Sequence, residues 1–197
     1  MVGLLKSNAM SKALTICGFT GTGKTYFCKS VALMRENVIV FDVNNEYNDL
    51  PELDLTVPYD GGKFRYTGMN FKKFINIIQD AETEERNIYN TNIVLEDCSG
   101  FMKGQIGEHA MKIFQAKRHT NNNYFFLYHA VELVPKDIYR FTNTFILFKT
   151  NETIEQISKR FPALKMAAYQ VDKDFRMRNN YNHDSPKRFP KQIIKLQ

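Results

Sequence analysis

The sequence has few cysteines and few histidines. Its three cysteines, Cys17, Cys28 and Cys98, form no C-x-x-C pair, and its four histidines show no ligand spacing with them. An odd number of cysteines without a pairing pattern is typical of a reduced, intracellular protein. The sequence therefore argues against a disulfide-stabilised secreted domain and against a zinc site.

Long hydrophobic runs are also missing. The run YFFLY at residues 124–128 is far shorter than the ~20 apolar residues of a membrane-spanning helix, and no signal peptide, internal repeat or low-complexity segment is visible. The hydrophobic share of 43%, with 16 Phe and 10 Tyr, is that of a globular chain. The length suits one domain with a substantial core and no membrane segment.

Charge is distributed unevenly along the chain, which carries a net charge of +6. Residues 171–197 are expected to form a basic C-terminal tail that attracts polyanions, nucleic acid first, although a solvated tail without a partner is the alternative. At the other end, SNA directly before Met10 resembles an expression-vector remnant, so residues 1–9 are set aside.

Residues 18–25, GFTGTGKT, follow the apolar run ALTIC and precede a segment with amphipathic helical spacing. They match the phosphate-binding pattern G-x-x-x-x-G-K-[ST], in which glycines and a helix N-terminus present N–H groups to an anion. Lys24 is expected to reach the β- and γ-phosphates of ATP and the Thr25 hydroxyl to bind Mg²⁺. The predicted nucleotide-binding residues are Gly18, Thr20, Gly21, Thr22, Gly23, Lys24, Thr25 and Tyr26.

Apolar runs that read as buried strands alternate with helical patterns. The strand-like runs after ALTIC are NVIVFDVN, TNIVLEDC, NYFFLYHA and NTFILFKT. This alternation predicts an α/β fold with a mostly parallel central sheet and helices on both faces. Together with the phosphate-binding motif, it resembles a P-loop NTPase of the RecA/ASCE type. We expect residues 10–170 to form this ATPase domain.

Two carboxylates, Glu96 and Asp97, end the predicted strand TNIVLEDC. Ligands of open α/β sheets bind beyond the carboxyl ends of the strands, so both side chains should face the phosphate loop. From their order alone, we assign Glu96 to Mg²⁺ and Asp97 to the base that accepts a proton from the attacking water. The alternative is a polar strand end without a catalytic task.

The motifs and their order resemble the FtsK–HerA superfamily, particularly viral genome-packaging ATPases of the poxvirus and tailless-phage type. The resemblance covers about residues 12–150 and rests on GFTGTGKT, VLEDC, AKRHTNNNYFFLYH and LVPKDIYRFTNTFILF. The positions that match the family pattern are Asp42, Glu46 and Tyr47 after the second strand, Arg118 and His119 before a later strand, His129 at its end, and Pro135 and Arg140 before the next one.

This resemblance implies an ATP-hydrolysing DNA motor that works as a homo-oligomeric ring, usually a hexamer, with ATP and Mg²⁺ as cofactors. It implies a place in the host cytoplasm or the virion, and a separate nuclease or capsid protein as a partner. A neighbouring subunit would supply an arginine to each site, with Arg140 as the first candidate and Arg118 and Arg160 next.

The chain departs from the family pattern at two places. His129 stands where Gln, Asn or Thr is usual, and we expect it to hydrogen-bond the γ-phosphate or the water in a pH-dependent way. The acidic pair reads Glu-Asp where Asp-Glu is common. Because aspartate is shorter than glutamate, this order predicts slow hydrolysis.

Two glycine-containing segments are candidates for DNA contact. YDGGKFRYTG carries Lys63 and Arg65 among aromatic residues, which suits phosphates and stacked bases, and SGFMKGQ carries Phe101 and Lys103. The alternatives are that the first segment is an edge strand and that Phe101 belongs to the core. Two other functions also remain open: a small-molecule P-loop kinase, and a nucleotide-binding scaffold with weak or no hydrolysis.

Overall fold

The computed structural model describes residues 12–80, 88–102, 104, 106–180 and 190–196. Within them, the strands are β1 (Ala13–Cys17), β2 (Val38–Phe41), β3 (Lys63–Tyr66), β4 (Asn92–Leu95), β5 (Asn123–Tyr128), β6 (Thr144–Phe148) and β7 (Lys191–Lys195). They form one sheet in the order β3-β2-β4-β5-β1-β6-β7. All neighbouring pairs are parallel except β6 and β7, which are antiparallel.

Helices connect the parallel strands, except β2 and β3, which are joined by residues 42–62 without a helix. The described helices are α1 (Lys24–Ala32), α2 (Phe71–Ile78), α3 (Cys98–Phe101), α4 (Glu108–Gln115), α5 (Lys117–Thr120), α6 (Lys136–Phe141), α7 (Ile154–Arg160) and α8 (Lys165–Asn180), with a 3₁₀ turn at Pro162–Leu164 before α8. None of the helices among the described residues is long and apolar enough to cross a membrane.

The core lies on both faces of the sheet. Alternate residues of β1 point to opposite faces, so Ala13 and Cys17 belong to one buried cluster, and Leu14 and Ile16 to the other. The larger cluster includes apolar residues of α2, α4, α6, α7 and α8, whereas α1 covers the second face. The predicted arrangement, a mostly parallel sheet with helices on both faces, is therefore confirmed.

The described part of residues 171–197 forms secondary structure, whereas the sequence predicts a basic tail. α8 runs past residue 170 to Asn180, and β7 pairs with β6 at the edge of the sheet. Ile194 and Leu196 pack against the core, so the described residues of 171–197 belong to the domain instead of forming a free tail. The two isoleucines of β7 lie between lysines, and this charged composition concealed the strand.

The segment YDGGKFRYTG contains a strand instead of a loop. Its residues Lys63–Tyr66 form β3, which lies at the edge of the sheet beside β2. Tyr66 is buried and its ring stacks on Phe41 at 6.0 Å, so it is not free to stack on a base. Phe101 also packs on Phe41, with the two ring centroids 4.7 Å apart. The structure thus shows the two alternatives to DNA contact: residues 63–66 form an edge strand, and Phe101 packs against the core.

Candidate nucleotide-binding site

The glycine-rich loop follows β1 and is anchored to both neighbouring strands. The Gly18 N–H donates to the carbonyl of Tyr128 at 3.1 Å, and the Phe19 N–H donates to that of Lys149 at 3.0 Å. A Cβ on Gly18 would lie 2.6 Å from Thr22 Oγ1 and 2.7 Å from the Cβ of Phe148. The close approach of the loop to β6 therefore requires glycine at position 18.

The loop turns into α1 with its N–H groups exposed for a ligand. Gly21 and Gly23 both have φ of 82°, a left-handed conformation that glycine adopts without strain. Gly23 is the N-cap of α1, and no side chain caps the free N–H groups of the first turn, which also lacks an acidic residue. A helix start with open N–H groups and partial positive charge is suited to a phosphate.

The remaining predicted nucleotide-binding residues surround this turn. Thr22 is buried and donates its hydroxyl to the Phe19 carbonyl at 2.8 Å, which closes the loop on itself. Thr20 is exposed on the loop, and Tyr26 is 65% exposed on α1. The loop residues can therefore surround a phosphate. Tyr26 is a surface residue next to the loop.

Lys24 is the first residue of α1 and is buried. Burial lowers the pKa of its ammonium group, while the nearby carboxylates Glu96, Asp97 and Glu46 act in the opposite direction. A buried cation among carboxylates at the start of a helix provides the positive charge that a polyphosphate requires.

Thr25 and Glu96 are in direct contact. The Thr25 hydroxyl donates to Glu96 Oε1 at 2.5 Å, although β5 lies between β4 and β1 in the sheet. Burial raises the pKa of Glu96 to about 7, and the hydrogen bond from Thr25 and the charge of Lys24 oppose that rise. The structure thus brings together the hydroxyl and the carboxylate that were predicted to share a metal ion.

Glu96 also has an unsatisfied oxygen. Its Oε2 is buried and has no hydrogen-bond partner among the described residues. A buried carboxylate oxygen without a partner, next to a threonine hydroxyl, is an oxygen donor set that fits Mg²⁺. The residues of this site are therefore compatible with a nucleotide-bound magnesium ion. Among the described residues, no group of three or more His, Cys, Asp or Glu side chains forms a separate metal site.

Asp97 lies next to His129 at the carboxyl edge of the sheet. Its Oδ1 is 3.1 Å from His129 Nε2, a close contact that lacks the geometry of a hydrogen bond. Asp97 has a φ of 51°, and its backbone is the N-cap of the short helix α3. The backbone N–H of His129 donates to Ser99 Oγ at 3.0 Å, which links the end of β5 to the same helix. The structure thus brings together His129 and Asp97, two of the predicted catalytic residues.

One residue in contact with Asp97 was not predicted. Asn44 lies after β2, and its Nδ2 is 3.4 Å from Asp97 Oδ2. The sequence held a signal, because β2 ends at the same edge of the sheet as β4 and the residues after it were already compared with the family pattern. Asp42 organises this loop, since its carboxylate accepts the N–H groups of Glu46 and Tyr47 at 2.8 and 2.9 Å.

The candidate arginines lie apart from the phosphate loop. Arg140 is near the end of α6, is 78% exposed, and is 3.7 Å from Asp137. It lines a surface cavity with Glu108, Met111 and Gln115 of α4. Arg118 is exposed on α5, and Arg160 donates to the Val134 carbonyl at 3.0 Å. None of these contacts joins Arg140 to a residue of the phosphate loop or of the acidic pair.

The two candidate DNA-contacting residues of β3 are used within the fold. Lys63 Nζ donates to the Leu33 carbonyl at 2.7 Å. Arg65 is largely buried, lies 3.6 Å from Asp42 and 3.7 Å from Glu52, and hydrogen-bonds Asn45. These contacts assign structural roles to both residues and give no support to direct DNA contact. Lys103 lies outside the described residues.

The glycine loop after β1 and the acidic pair after β4 of a parallel sheet define a P-loop NTPase. The family model described as the central domain of helicase HerA matches residues 2–197, and the chain belongs to that family. The resemblance to the FtsK–HerA superfamily is thereby confirmed.

Solved structures with the same fold include viral genome-packaging proteins. The genome-packaging NTPase B204 of Sulfolobus turreted icosahedral virus 2, in complex with ATP-γ-S, has a TM-score of 0.70 and 17% identity over 94% of this chain and 92% of that chain. The AMP complex of the same protein has a TM-score of 0.68 and 16% identity over 94% of this chain and 93% of that chain. The DNA-packaging ATPase B204 of Sulfolobus turreted icosahedral virus has a TM-score of 0.68 and 16% identity over 94% of this chain and 92% of that chain. At these identities the similarity shows the fold. No curated protein matches the chain.

Proposed function

We propose that this protein is an ATP-hydrolysing motor that moves DNA and works as a homo-oligomeric ring, as genome-packaging ATPases do. The observation that carries the proposal is the convergence of Lys24, the Thr25–Glu96 pair and the Asp97–His129 pair at one edge of the sheet. Membership of the HerA family and a fold shared with a protein described as a DNA-packaging ATPase support the same conclusion.

The phosphate loop and Lys24 bind and orient the substrate. The open N–H groups at the start of α1 would accept the phosphates of ATP, and Lys24 would lie against the β- and γ-phosphates. Thr25 and Glu96 would hold Mg²⁺, which when bound offsets the charge of the phosphates. The pKa of Glu96 would then fall, because a cation favours the charged carboxylate.

Asp97 acts as the base in this scheme. The oxygen of the attacking water bonds to the γ-phosphorus, its proton passes to Asp97, and the bond from that phosphorus to the bridging oxygen of ADP breaks. His129, 3.1 Å from Asp97, would hydrogen-bond the γ-phosphate or the water and so report the state of the nucleotide to the end of β5. Because Asp97 is short, hydrolysis is expected to be slow without a stimulating partner.

A neighbouring subunit completes the site with an arginine. Arg140 is exposed and lies outside the site of its own chain, which is the position required of a residue that acts on a neighbour. Such an arginine accelerates phosphoryl transfer by roughly 10³-fold or more. The ring would surround DNA, and a separate nuclease or capsid protein would complete a packaging machine.

Two inactive variants should restore activity to each other if the site is shared. Lys24→Ala removes the phosphate contact and Arg140→Ala removes the arginine, so each alone should hydrolyse ATP at below about a tenth of the wild-type rate. Co-expressed in equal amounts, they should recover about a quarter of the wild-type rate, since random head-to-tail assembly gives one competent interface in four.

The matched control mixes two variants whose altered residues both belong to the site within a single subunit. Lys24→Ala mixed with Asp97→Asn should stay inactive, because both side chains act within one subunit. Recovery in this control as well, or no recovery with Arg140→Ala, would contradict a shared site with Arg140. Phosphate transfer to a small acceptor instead of water would favour the kinase alternative.

A further inference from the structure

Lys117 is a buried lysine, and its contacts with the described residues include no carboxylate. It is 7% exposed. Its Nζ donates to Asn143 Oδ1 at 2.7 Å and to the Phe141 carbonyl at 3.3 Å, and it lies 4.0 Å from the centre of the Phe141 ring. Burial lowers the pKa of the ammonium group to about 8, and the charge of Arg118 acts in the same direction. Because burial of a cation without an acidic partner is costly, a side chain that only filled this space would be apolar.

The contacts of Lys117 are with the residues that end α6 and lead into β6. Arg140 and Phe141 are the last two residues of that helix. The Thr142 N–H closes the last turn by donating to the Ile138 carbonyl at 2.9 Å, but this bond lies within one segment. The carbonyls at the end of a helix can accept a lysine side chain. Lys117 therefore ties the turn that carries Arg140 to the start of another helix, α5.

The two ends of α6 are held by different parts of the fold. The helix has six residues, so its stability depends on its neighbours. On the side of α7, Arg160 donates to a main-chain carbonyl just before α6, and the rings of Tyr139 and Phe161 stack with centroids 3.8 Å apart. At the other end, Asn143 accepts a main-chain N–H of β1 at 2.9 Å as well as the ammonium group of Lys117. Lys117 thus completes the support of the end that carries the arginine.

We propose that Lys117 is a positioning residue for Arg140, because its ammonium group fixes the last turn of α6 so that Arg140 presents its guanidinium to the site of a neighbouring subunit. The inference rests on the proposed action of Arg140 on that neighbour. The Arg140 side chain is 78% exposed, so its direction depends on the backbone of the turn. Lys117 contacts no residue of the phosphate loop in the interactions described, so its loss should leave nucleotide binding unchanged.

The first measurement is steady-state ATP hydrolysis by the full chain with Mg²⁺ and duplex DNA at about pH 7, below the pKa of Lys117. The affinity of a fluorescent ATP analogue is measured separately. Lys117→Met keeps an unbranched apolar side chain and removes the ammonium group. It should lower kcat about tenfold and leave the analogue affinity unchanged, because a misplaced arginine weakens the transition state. Lys72, exposed on α2, is the matched control, and Lys72→Met should keep the wild-type kcat.

Mixed variants separate positioning from a general structural defect. Lys117→Met co-expressed in equal amounts with Lys24→Ala should hydrolyse ATP at about a quarter of the wild-type rate. The Lys24→Ala subunit still supplies a well-placed arginine, and the Lys117→Met subunit still has an intact phosphate loop to receive it. Lys117→Met mixed with Arg140→Ala should stay at about a tenth or below, since both variants alter the surface that supplies the arginine.

Wild-type kcat in Lys117→Met would overturn the inference. So would recovery of Lys24→Ala by Arg140→Ala but not by Lys117→Met, because Lys117 would then act within its own subunit. If neither variant restores activity to Lys24→Ala, the shared site itself is refuted and, with it, this role of Lys117.

Discussion

Replacing Glu96 by glutamine should change how the stability of the protein depends on pH. In the folded chain the pKa of Glu96 is raised from 4.5 to about 7, because burial disfavours the charged carboxylate. The folded state therefore keeps a proton that the unfolded state releases between these two values. The stability that this proton provides is fully present below pH 4.5 and is lost as the pH rises to about 7.

The size of the effect follows from the two pKa values. Their difference of about 2.5 pH units, at 1.36 kcal/mol per unit, corresponds to about 3 kcal/mol of unfolding free energy. Glu96→Gln lacks this titration and should be less sensitive to pH. Between about pH 4.5 and pH 8, the wild type should thus lose about 3 kcal/mol more stability than the variant.

Urea unfolding without nucleotide or divalent cation, at several pH values, measures this difference. Glu36→Gln changes an exposed carboxylate and is the matched control, which should follow the wild-type pH dependence. Parallel pH dependences for wild type and Glu96→Gln would refute the reasoning. The carboxylate would then not be buried in the state that unfolds.

Three further variants test the loop, the edge of the sheet and β3. Gly18→Ala should destabilise the fold by about 1–3 kcal/mol because a Cβ there meets neighbouring atoms at under 3 Å, whereas Gly100→Ala, with open space around it, should melt like the wild type. Ile194→Asp should lower the free energy of unfolding in urea by about 1–3 kcal/mol, because Ile194 packs against the core. Ile193 is more exposed, so Ile193→Asp should lower it much less. Equal effects would mean that β7 does not pack on the sheet as described. Arg65→Gln should lower stability by about 1–3 kcal/mol by leaving the buried carboxylate of Asp42 without its cation. If Arg65→Gln had wild-type stability and bound DNA more weakly, Arg65 would instead be a DNA contact.

Much of the fold could be predicted because the parallel strands are fully buried. Runs such as VIVF in β2 and NIVL in β4 are buried along their whole length, and such runs are recognisable without knowledge of their partners. β3 was predicted only as an alternative to a DNA-contacting loop, because three of its four residues KFRY are only partly buried and they follow two glycines. Its strand state depends on pairing with β2, which local sequence does not show.

The candidate site was predictable where a motif carries its own geometry. The glycine loop fixes Lys24 and Thr25 at the start of α1, and a carboxylate at the end of β4 reaches them because parallel strands end at one edge. The contact of Asn44 with Asp97 depends on the exact shape of the loop after β2, which Asp42 and a residue of β3 determine. Such a contact follows from tertiary structure, and the sequence indicates only that the residues after β2 lie at the same edge of the sheet as Asp97.

The most direct test of the proposed motor is ATP hydrolysis by the purified protein with and without duplex DNA, beside Lys24→Ala. We expect slow hydrolysis that duplex DNA stimulates severalfold, and no hydrolysis above background for Lys24→Ala in either condition. A rate that DNA leaves unchanged, or an equal rate in the Lys24→Ala variant, would contradict the conclusion that this site powers movement of DNA.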